Sequence, residues 1–279
     1  MDAVTQYIHE SWKSADPSRF PGPQPVSIER RHFAVLKHQP YFVCEKTDGV
    51  RHFLVSLPQG DVVIVNRAFT CELVRMRVPK DTLLDGELVK LKTGRVLFVV
   101  HDAVRVKGED LRSLPLDERL ARASKLVKGL IKTSKDPFEI RVKTMLPLEN
   151  IGDLPPLDAF EYETDGLVFT PIREPIRMGT HETMFKWKPR ERITIDFQLK
   201  NGRELFIQER GDVYKEAELH NGNVRADLAD GTIVECGYGP LGWFVEKVRD
   251  DKTYSNNRRT YMRTLVNIRE DIRVCEFTG

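Results

Sequence analysis

The sequence predicts an α+β chain in two parts. Antiparallel sheets with flanking helices occupy residues 1–192, and a small β-barrel with a C-terminal helix occupies residues 193–279. Three observations predict this. Short apolar runs such as Tyr41-Phe42-Val43-Cys44 and Val62-Val63-Ile64-Val65 are broken by Asp-Gly and Thr-Gly pairs, the pattern of strands joined by tight turns. Helical spacing of apolar residues is confined to a few stretches. After Pro189 the texture changes: residues 193–249 read as about six short strands, with Asn201-Gly202, Asn221-Gly222 and Asp230-Gly231 between them.

Taken in order, Val4, Ile8 and Trp12 predict an amphipathic helix over residues 3–13. The proline-rich stretch from Arg19 to Ser27 is extended, and its flanking apolar residues predict that it packs on the body. Residues 41–66 read as strands around a turn at Asp48-Gly49, and an extended continuation puts Arg67 and Phe69 on one face. Residues 82–100 form a second strand pair about Thr93-Gly94, prolonged by His101-Asp102-Ala103-Val104. Its run Val96-Leu97-Phe98-Val99-Val100 is apolar on both faces, as in a buried strand. Leu116, Leu120, Val127, Leu130 and Ile131 predict a helix over 116–131, with Asp117 near its start. Residues 151–158 read as a Pro-rich loop, 161–169 as turn then strand, and 184–189 as a further strand. Tyr261, Leu265, Ile268 and Ile272 predict the last helix.

A chain of 279 residues holds one large domain or two smaller ones. Lys+Arg of 44 against Asp+Glu of 42 leaves +2, so any basic surface is local. Cys44, Cys71, Cys236 and Cys275 form no CxxC. They point to reduced thiols in an intracellular protein, without a zinc site or a disulfide framework. Met1-Asp2-Ala3-Val4 begins no visible signal peptide, and no apolar run is long enough to span a bilayer.

The chemistry centres on Glu45-Lys46-Thr47-Asp48-Gly49-Val50-Arg51. A lysine held there among other cations, partly desolvated, would have a lowered pKa and a neutral amine able to attack phosphorus or carbonyl carbon. Alone, the stretch reads equally well as a solvated hairpin tip, because Asp-Gly is a common turn pair. Its company decides. Asp85 and Glu87 flank a second Asp-Gly at i, i+2, and Glu163 stands at i, i+2 to Asp165 in a third. Lys186 and Lys188 share a face, with Trp187 turned to the other. Carboxylates suit Mg²⁺ or Mn²⁺, which bridge phosphates, and lysines and arginines suit phosphate oxygens. The set fits phosphoryl or nucleotidyl transfer better than acyl transfer. There is no G-x-S-x-G elbow and no GxxxxGK[ST] loop.

The order Lys46-Thr47-Asp48-Gly49-Val50-Arg51, Asp85-Gly86-Glu87, Asp165-Gly166-Leu167-Val168-Phe169 and Lys186-Trp187-Lys188-Pro189 resembles the covalent lysyl-nucleotidyltransferase superfamily of mRNA capping guanylyltransferases and ATP-dependent ligases. Arg249-Asp250-Asp251-Lys252 with Asn256 resembles the last capping-enzyme motif, and Phe20-Pro21-Gly22-Pro23-Gln24-Pro25-Val26-Ser27 also favours capping enzymes. The resemblance runs from about residue 19 to 272. It implies a nucleotidyltransferase domain followed by an OB-fold domain, with Lys46 attacking the α-phosphate of GTP and passing GMP to 5′-diphosphate RNA. It implies Glu87 at the ribose, Arg51 and Arg67 at ribose or phosphates, and Asp165, with Glu163 the weaker candidate, at the metal. Lys186 and Lys188 would hold the α-phosphate and guanine edge. Asp196, Arg249, Asp251 and Lys252 would engage the phosphates as the small domain closes.

Two departures stand out. His101 occupies the position where the family usually stacks Phe or Tyr on guanine, and Ser255 replaces a proline before Asn256. Arg258, Arg259 and Arg263 form a basic helical face whose ordinary reading is solvated surface. No HCxxxxxR phosphatase signature occurs, so an RNA triphosphatase and a cap methyltransferase are expected as separate partners, with RNA polymerase a further candidate. The expected location is the nucleus for a cellular protein, or the cytoplasm or virion for a viral one. The alternatives are an ATP-dependent polynucleotide ligase and an inactive homologue that binds RNA ends.

Overall fold

The computed structural model describes residues 2–278. The chain divides into two compact units. The first runs to Val26 and resumes over Ala34–Lys186; the second combines Ser27–Phe33 with Trp187–Phe277. The division thus falls before Trp187 instead of after residue 192, and the segment 27–33 joins the second unit. Hydrogen bonds give the reason. Asn267 Nδ2 donates to the Ile28 carbonyl at 2.6 Å, the Arg30 amide donates to Glu270 at 2.8 Å, and Trp187 Nε1 donates to the Ile272 carbonyl at 2.8 Å.

The first unit contains α1 (Ala3–Trp12), β1 (Gln24–Ser27, whose last residue belongs to the second unit), α2 (Phe33–His38, whose first residue does too), β2 (Tyr41–Thr47), β3 (Val50–Ser56), β4 (Val62–Asn66), β5 (Cys71–Leu73), β6 (Thr82–Lys90), β7 (Val96–Val106), β8 (Glu109–Asp110), α3 (Leu116–Lys128), β9 (Glu139–Val142), β10 (Leu146–Pro147), β11 (Thr164–Pro171) and β12 (Thr180–Trp187, whose last residue belongs to the second unit). Asp2 caps α1 by accepting from the Thr5 amide at 2.8 Å, and Lys13 ends it in the left-handed region. Two sheets form. One has the order β1-β12-β11-β2-β10; the other runs β5-β4-β3-β6-β7-β8, with β9 parallel to β7.

The turn at Asp48-Gly49 joins these two sheets and is not a hairpin. β2 pairs with β11 and β10, whereas β3 pairs with β4 and β6. Strand periodicity marks both strands but carries no information about their partners. A Cβ on Gly49 would lie 2.7 Å from the Leu88 carbonyl oxygen, so only glycine fits this crossing. The larger sheet is covered on both faces. Leu54, Leu84, Phe98 and Ala123 pack on one side, and Ile8, Trp12, Phe53 and Val65 on the other. In the apolar run of β7, Phe98 and Val100 join the first of these sets, while Leu97 and Val99 pack with Val89, Leu91 and Tyr162, so both of its faces are covered. The proline-rich stretch does pack on the body, as β1 beside β12.

The second unit contains β13 (Thr194–Lys200), β14 (Glu204–Glu209), β15 (Asp212–Glu218), β16 (Ile233–Gly239), β17 (Gly242–Val248) and α4 (Arg258–Glu270). Five strands, not six, form one antiparallel sheet in the order β15-β14-β13-β16-β17. Its ladders do not close into a full barrel among the described residues, although an isolated parallel bridge joins Leu219 to Trp243. Phe197, Leu205, Trp243 and Tyr261 fill its core. No helix is long and apolar enough to cross a membrane among the described residues.

Candidate active site

A narrow cleft of about 110 Å³ in the first unit is lined by Lys46, Arg51, Glu87 and His101, with Cys44 and Val168 among its apolar walls. Alternation along β2 puts Cys44 and Lys46 on one face. Across the ladder they meet Val168 and Gly166 of β11. The β2–β11 register shifts between Thr164 and Gly166, a bulge that frees Asp165 from regular pairing. The Lys46 Nζ then lies 2.7 Å from Asp165 Oδ1. The partner of Lys46 is therefore a carboxylate and not the expected set of cations. Glu163 lies before β11 and is exposed, so its parity with Asp165 is lost. What it contributes to the turn is its carbonyl, which accepts from the Asp48 amide at 2.9 Å.

Arg51 is fixed from several sides. Its Nε and Nη2 donate to the two oxygens of Asp85 at 2.9 and 2.6 Å, and its Nη1 donates to the Pro23 carbonyl at 2.6 Å. Phe20 lies 5.3 Å from the guanidinium, and a Cβ on Gly22 would come within 2.5 Å of Nη2. Asp85 is fully buried, whereas Glu87 is half-buried, so the two carboxylates of the Asp-Gly-Glu stretch have different tasks. Burial pushes the Asp85 carboxyl up, but the Arg51 charge and His101 outweigh it and hold it well below the usual carboxylate range. His101 Nε2 sits 3.2 Å from Asp85 Oδ1. Among the described residues, the buried Glu87 Oε2 has no hydrogen-bond partner.

Further buried charges brace the cleft. Arg119 donates from Nε and Nη2 to Asp102 at 2.7 and 2.9 Å. Lys143 Nζ donates to the Glu45 carbonyl at 3.0 Å and to the Thr47 hydroxyl, the residues on either side of Lys46. Tyr162 donates to Glu45 Oε1 at 2.7 Å. Burial pulls the Lys143 ammonium down, and the surrounding groups, Glu45 and Glu87 among them, outweigh it. Sequence reading missed Asp102, Arg119, Lys143 and Tyr162. The double charge in the Glu45-Lys46 pair was the available hint that a buried counter-charge was needed.

Arg67 lies beyond the end of β4 and is exposed, 6.0 Å from the Phe20 ring. The extension expected there is a turn. Asn66 Oδ1 accepts from the Ala68 and Thr70 amides, and Phe69 has φ of 58°, so Arg67 and Phe69 do not share a strand face. Lys186 is half-buried on β12 in the first unit; Lys188 is half-buried beyond that strand, in the second. Their common strand face therefore does not extend to Lys188.

The remaining predicted residues form one cluster within the second unit. Asp196 is buried on β13 and receives Arg249 Nη1 at 3.0 Å and the Lys252 ammonium. Arg249 also binds Glu235 at 3.1 Å and Asp251 through two bonds of 2.8 Å. Those bonds from Arg249 hold the Asp251 carboxyl at about 2. Asn256 Oδ1 accepts from the Asp196 amide at 2.9 Å, and the Asn256 amide donates to the Asp196 carbonyl at 2.7 Å. Ser255, where the family usually has proline, is buried at that junction.

Residues 2–190 match the family described as mRNA capping enzyme, catalytic domain. The chain belongs to this family. It is 28% identical over 291 residues to an mRNA-capping enzyme of Danio rerio, covering 92% of this chain and 48% of that protein. An mRNA-capping enzyme subunit alpha of Schizosaccharomyces pombe is 32% identical over 230 residues, covering 71% of this chain and 57% of its own length. For the mRNA-capping enzyme of Mus musculus the identity is 27%, with coverages of 93% and 49%. The chain spans about half the length of these curated relatives.

Proposed function

We propose that the chain is an mRNA 5′ cap guanylyltransferase, moving GMP from GTP through a covalent Lys46–GMP to the 5′-diphosphate end of RNA. One observation carries this reading in a member of the capping family. Lys46, which lines the cleft, is paired with Asp165, and in the same cleft the buried Glu87 Oε2 lacks a partner among the described residues. An unpartnered carboxylate oxygen is costly unless a ligand donor such as a ribose hydroxyl meets it.

Lys46 Nζ must first surrender a proton, to Asp165 Oδ1 or to water, to expose its lone pair. It then attacks the α-phosphorus in line. The N–P bond forms as the bond to the bridging oxygen breaks, and pyrophosphate leaves. In the second step a terminal oxygen of the RNA diphosphate attacks the same phosphorus, the P–N bond breaks, and Lys46 departs as an amine. Arg51 and Lys186 stabilise the growing charge on phosphate oxygens. For Arg67, Lys188, Asp196, Arg249, Asp251 and Lys252 we adopt the roles the family resemblance implies.

Among the described residues no three His, Cys, Asp or Glu side chains form a metal cage. Asp165 fits a different kind of site, in which one carboxylate, substrate phosphates and waters hold Mg²⁺ or Mn²⁺, with Glu163 a second candidate. When bound, the ion offsets phosphate charge. For the second unit we propose an OB-type barrel; the strand order and the parallel Leu219–Trp243 bridge favour it. An RNA triphosphatase and a cap methyltransferase are the proposed partners, RNA polymerase is a further one, and the proposed location is intracellular.

The test is covalent labelling. The protein is incubated with α-labelled GTP or ATP and a divalent ion, then denatured. GTP-dependent label that is acid-labile and reversed by pyrophosphate supports this reading. Label from ATP alone moves the chain to the ligases, and no label from either favours an inactive RNA-end binder.

A further inference from the structure

We propose that Asp85 is a positioning residue that sets His101 and Arg51 as one unit, so that the grip on the base and the grip on the rest of the nucleotide are coupled through it. The inference rests on the nucleotide-binding reading of the cleft.

Asp85 is fully buried and reaches the ligand only through its neighbours. A carboxylate accepts and never donates when ionised, so all its contacts must come from donors. Three are in place: Arg51 Nε, Arg51 Nη2 and His101 Nε2. The backbone is shaped for this. The β6–β7 ladder pairs Asp85 with Asp102 but Gly86 with Val100, which makes His101 the extra residue of a bulge. Bulges re-aim side chains next to active sites. His101, with its Nε2 edge 3.2 Å from Asp85 Oδ1, lines the cleft. A phenyl ring at this position needs no tether, because apolar contact alone orients it. An imidazole needs a hydrogen bond, and Asp85 provides one. Arg51 has two N–H groups on Asp85 and one on Pro23, leaving two of its five for a ligand.

The test is equilibrium GTP binding by calorimetry on the full chain, with folding checked by thermal melting. Asp85→Asn is expected to weaken GTP binding about 100-fold, within the range of coupled polar networks. Adding His101→Phe to that variant should recover about tenfold, because phenyl needs no tether. Arg51→Lys should cost about tenfold in the native chain but less than about threefold beside Asp85→Asn. Additive effects throughout would overturn the proposal. If Asp85→Asn does not fold, the Arg51→Lys/His101→Phe double variant decides. A departure from additivity above about threefold supports the coupling, and additivity rejects it. Labelling of Lys46 separates the two levels. Label with additive variants keeps the function and rejects the coupling; coupling in GTP binding without label does the reverse. No GTP binding rejects both.

Discussion

Charged residues serve opposite ends in the two units. In the first, Arg119 is 2% exposed and Asp85 is fully buried, and each meets its partner through two hydrogen bonds. In the second, Asp251 is 66% exposed at the side chain and Lys252 35%. The residue types are the same, but the solvent differs. A buried pair has lost hydration and persists only where geometry returns it, so the pair is fixed in place. An exposed pair gains little, and its cation can exchange a carboxylate for a phosphate at small cost. The cleft is thus arranged in advance, while in the second unit Arg249 and Lys252 are anchored on the buried Asp196 and only the outer Arg249–Asp251 contact lies where it can be traded.

The largest expected effect is Lys46→Ala, which removes the proposed attacking nitrogen and should abolish covalent label while the protein stays folded. Normal label in this variant would move the nucleophile elsewhere. Next comes Asp102→Ala, which strands a buried guanidinium and should cost about 3–5 kcal/mol in urea unfolding. Replacing the pair together, as Asp102→Leu with Arg119→Met, should cost markedly less, since no charge is left behind. Equal losses would mean that packing, and not charge, dominates there. Arg249→Ala sharpens the contrast from the other side. Label formation should drop about tenfold or more, as for loss of a phosphate contact, with the melting temperature little changed. A large fall in melting temperature would make this cluster structural like the first.

The pH dependence follows the same division. Burial lowers the pKa of both His9 and His181, so each is harder to protonate in the fold than in the unfolded chain. The unfolded chain takes up their protons below about pH 6.5, so stability should fall as pH drops from there toward the folded values. Asp85 has the opposite origin but the same sign. Burial raises it, Arg51 and His101 overcome that, and its depressed value stabilises the fold above about pH 4. That contribution is lost only as pH falls through the folded value, well below 4. Urea midpoints should therefore decline first as pH falls below about 6.5, and His9→Phe should flatten that part. An unchanged slope in His9→Phe would leave His181 or other groups as the source.

Local chemistry was legible in the sequence wherever one short stretch carried it. Lys46, Arg51, Glu87 and Asp165 lie in Asp-Gly settings, and all but Asp165, which pairs with Lys46, line the cleft. What lay between distant stretches was not legible. Lys143 braces Lys46 from far along the chain, and no spacing announces it. Pairing was hidden for the same reason, since β2 and β3 look like a hairpin but belong to different sheets. Parity failed at bulges: Asp165 and His101 each sit where a register shift breaks alternation. The six-residue helix α2 was too short for periodicity to reveal.

The smallest expected effect belongs to Arg258. Its basic helical face suggests RNA contact, yet Arg258 opens α4 and already meets Glu209 and Glu216, each at 3.1 Å. Both pairs lie at the surface, where neither adds much to stability. Arg258→Ala should therefore form Lys46–GMP at a rate within about twofold of the native chain and transfer it to RNA with an unchanged salt slope. A shallower slope would show that Arg258 leaves its carboxylates for an RNA phosphate. Loss of label with the fold intact would go further, because an exposed, already paired arginine would then be shaping the cleft chemistry. The contrast between fixed and exchangeable charge would fail at its most expendable member.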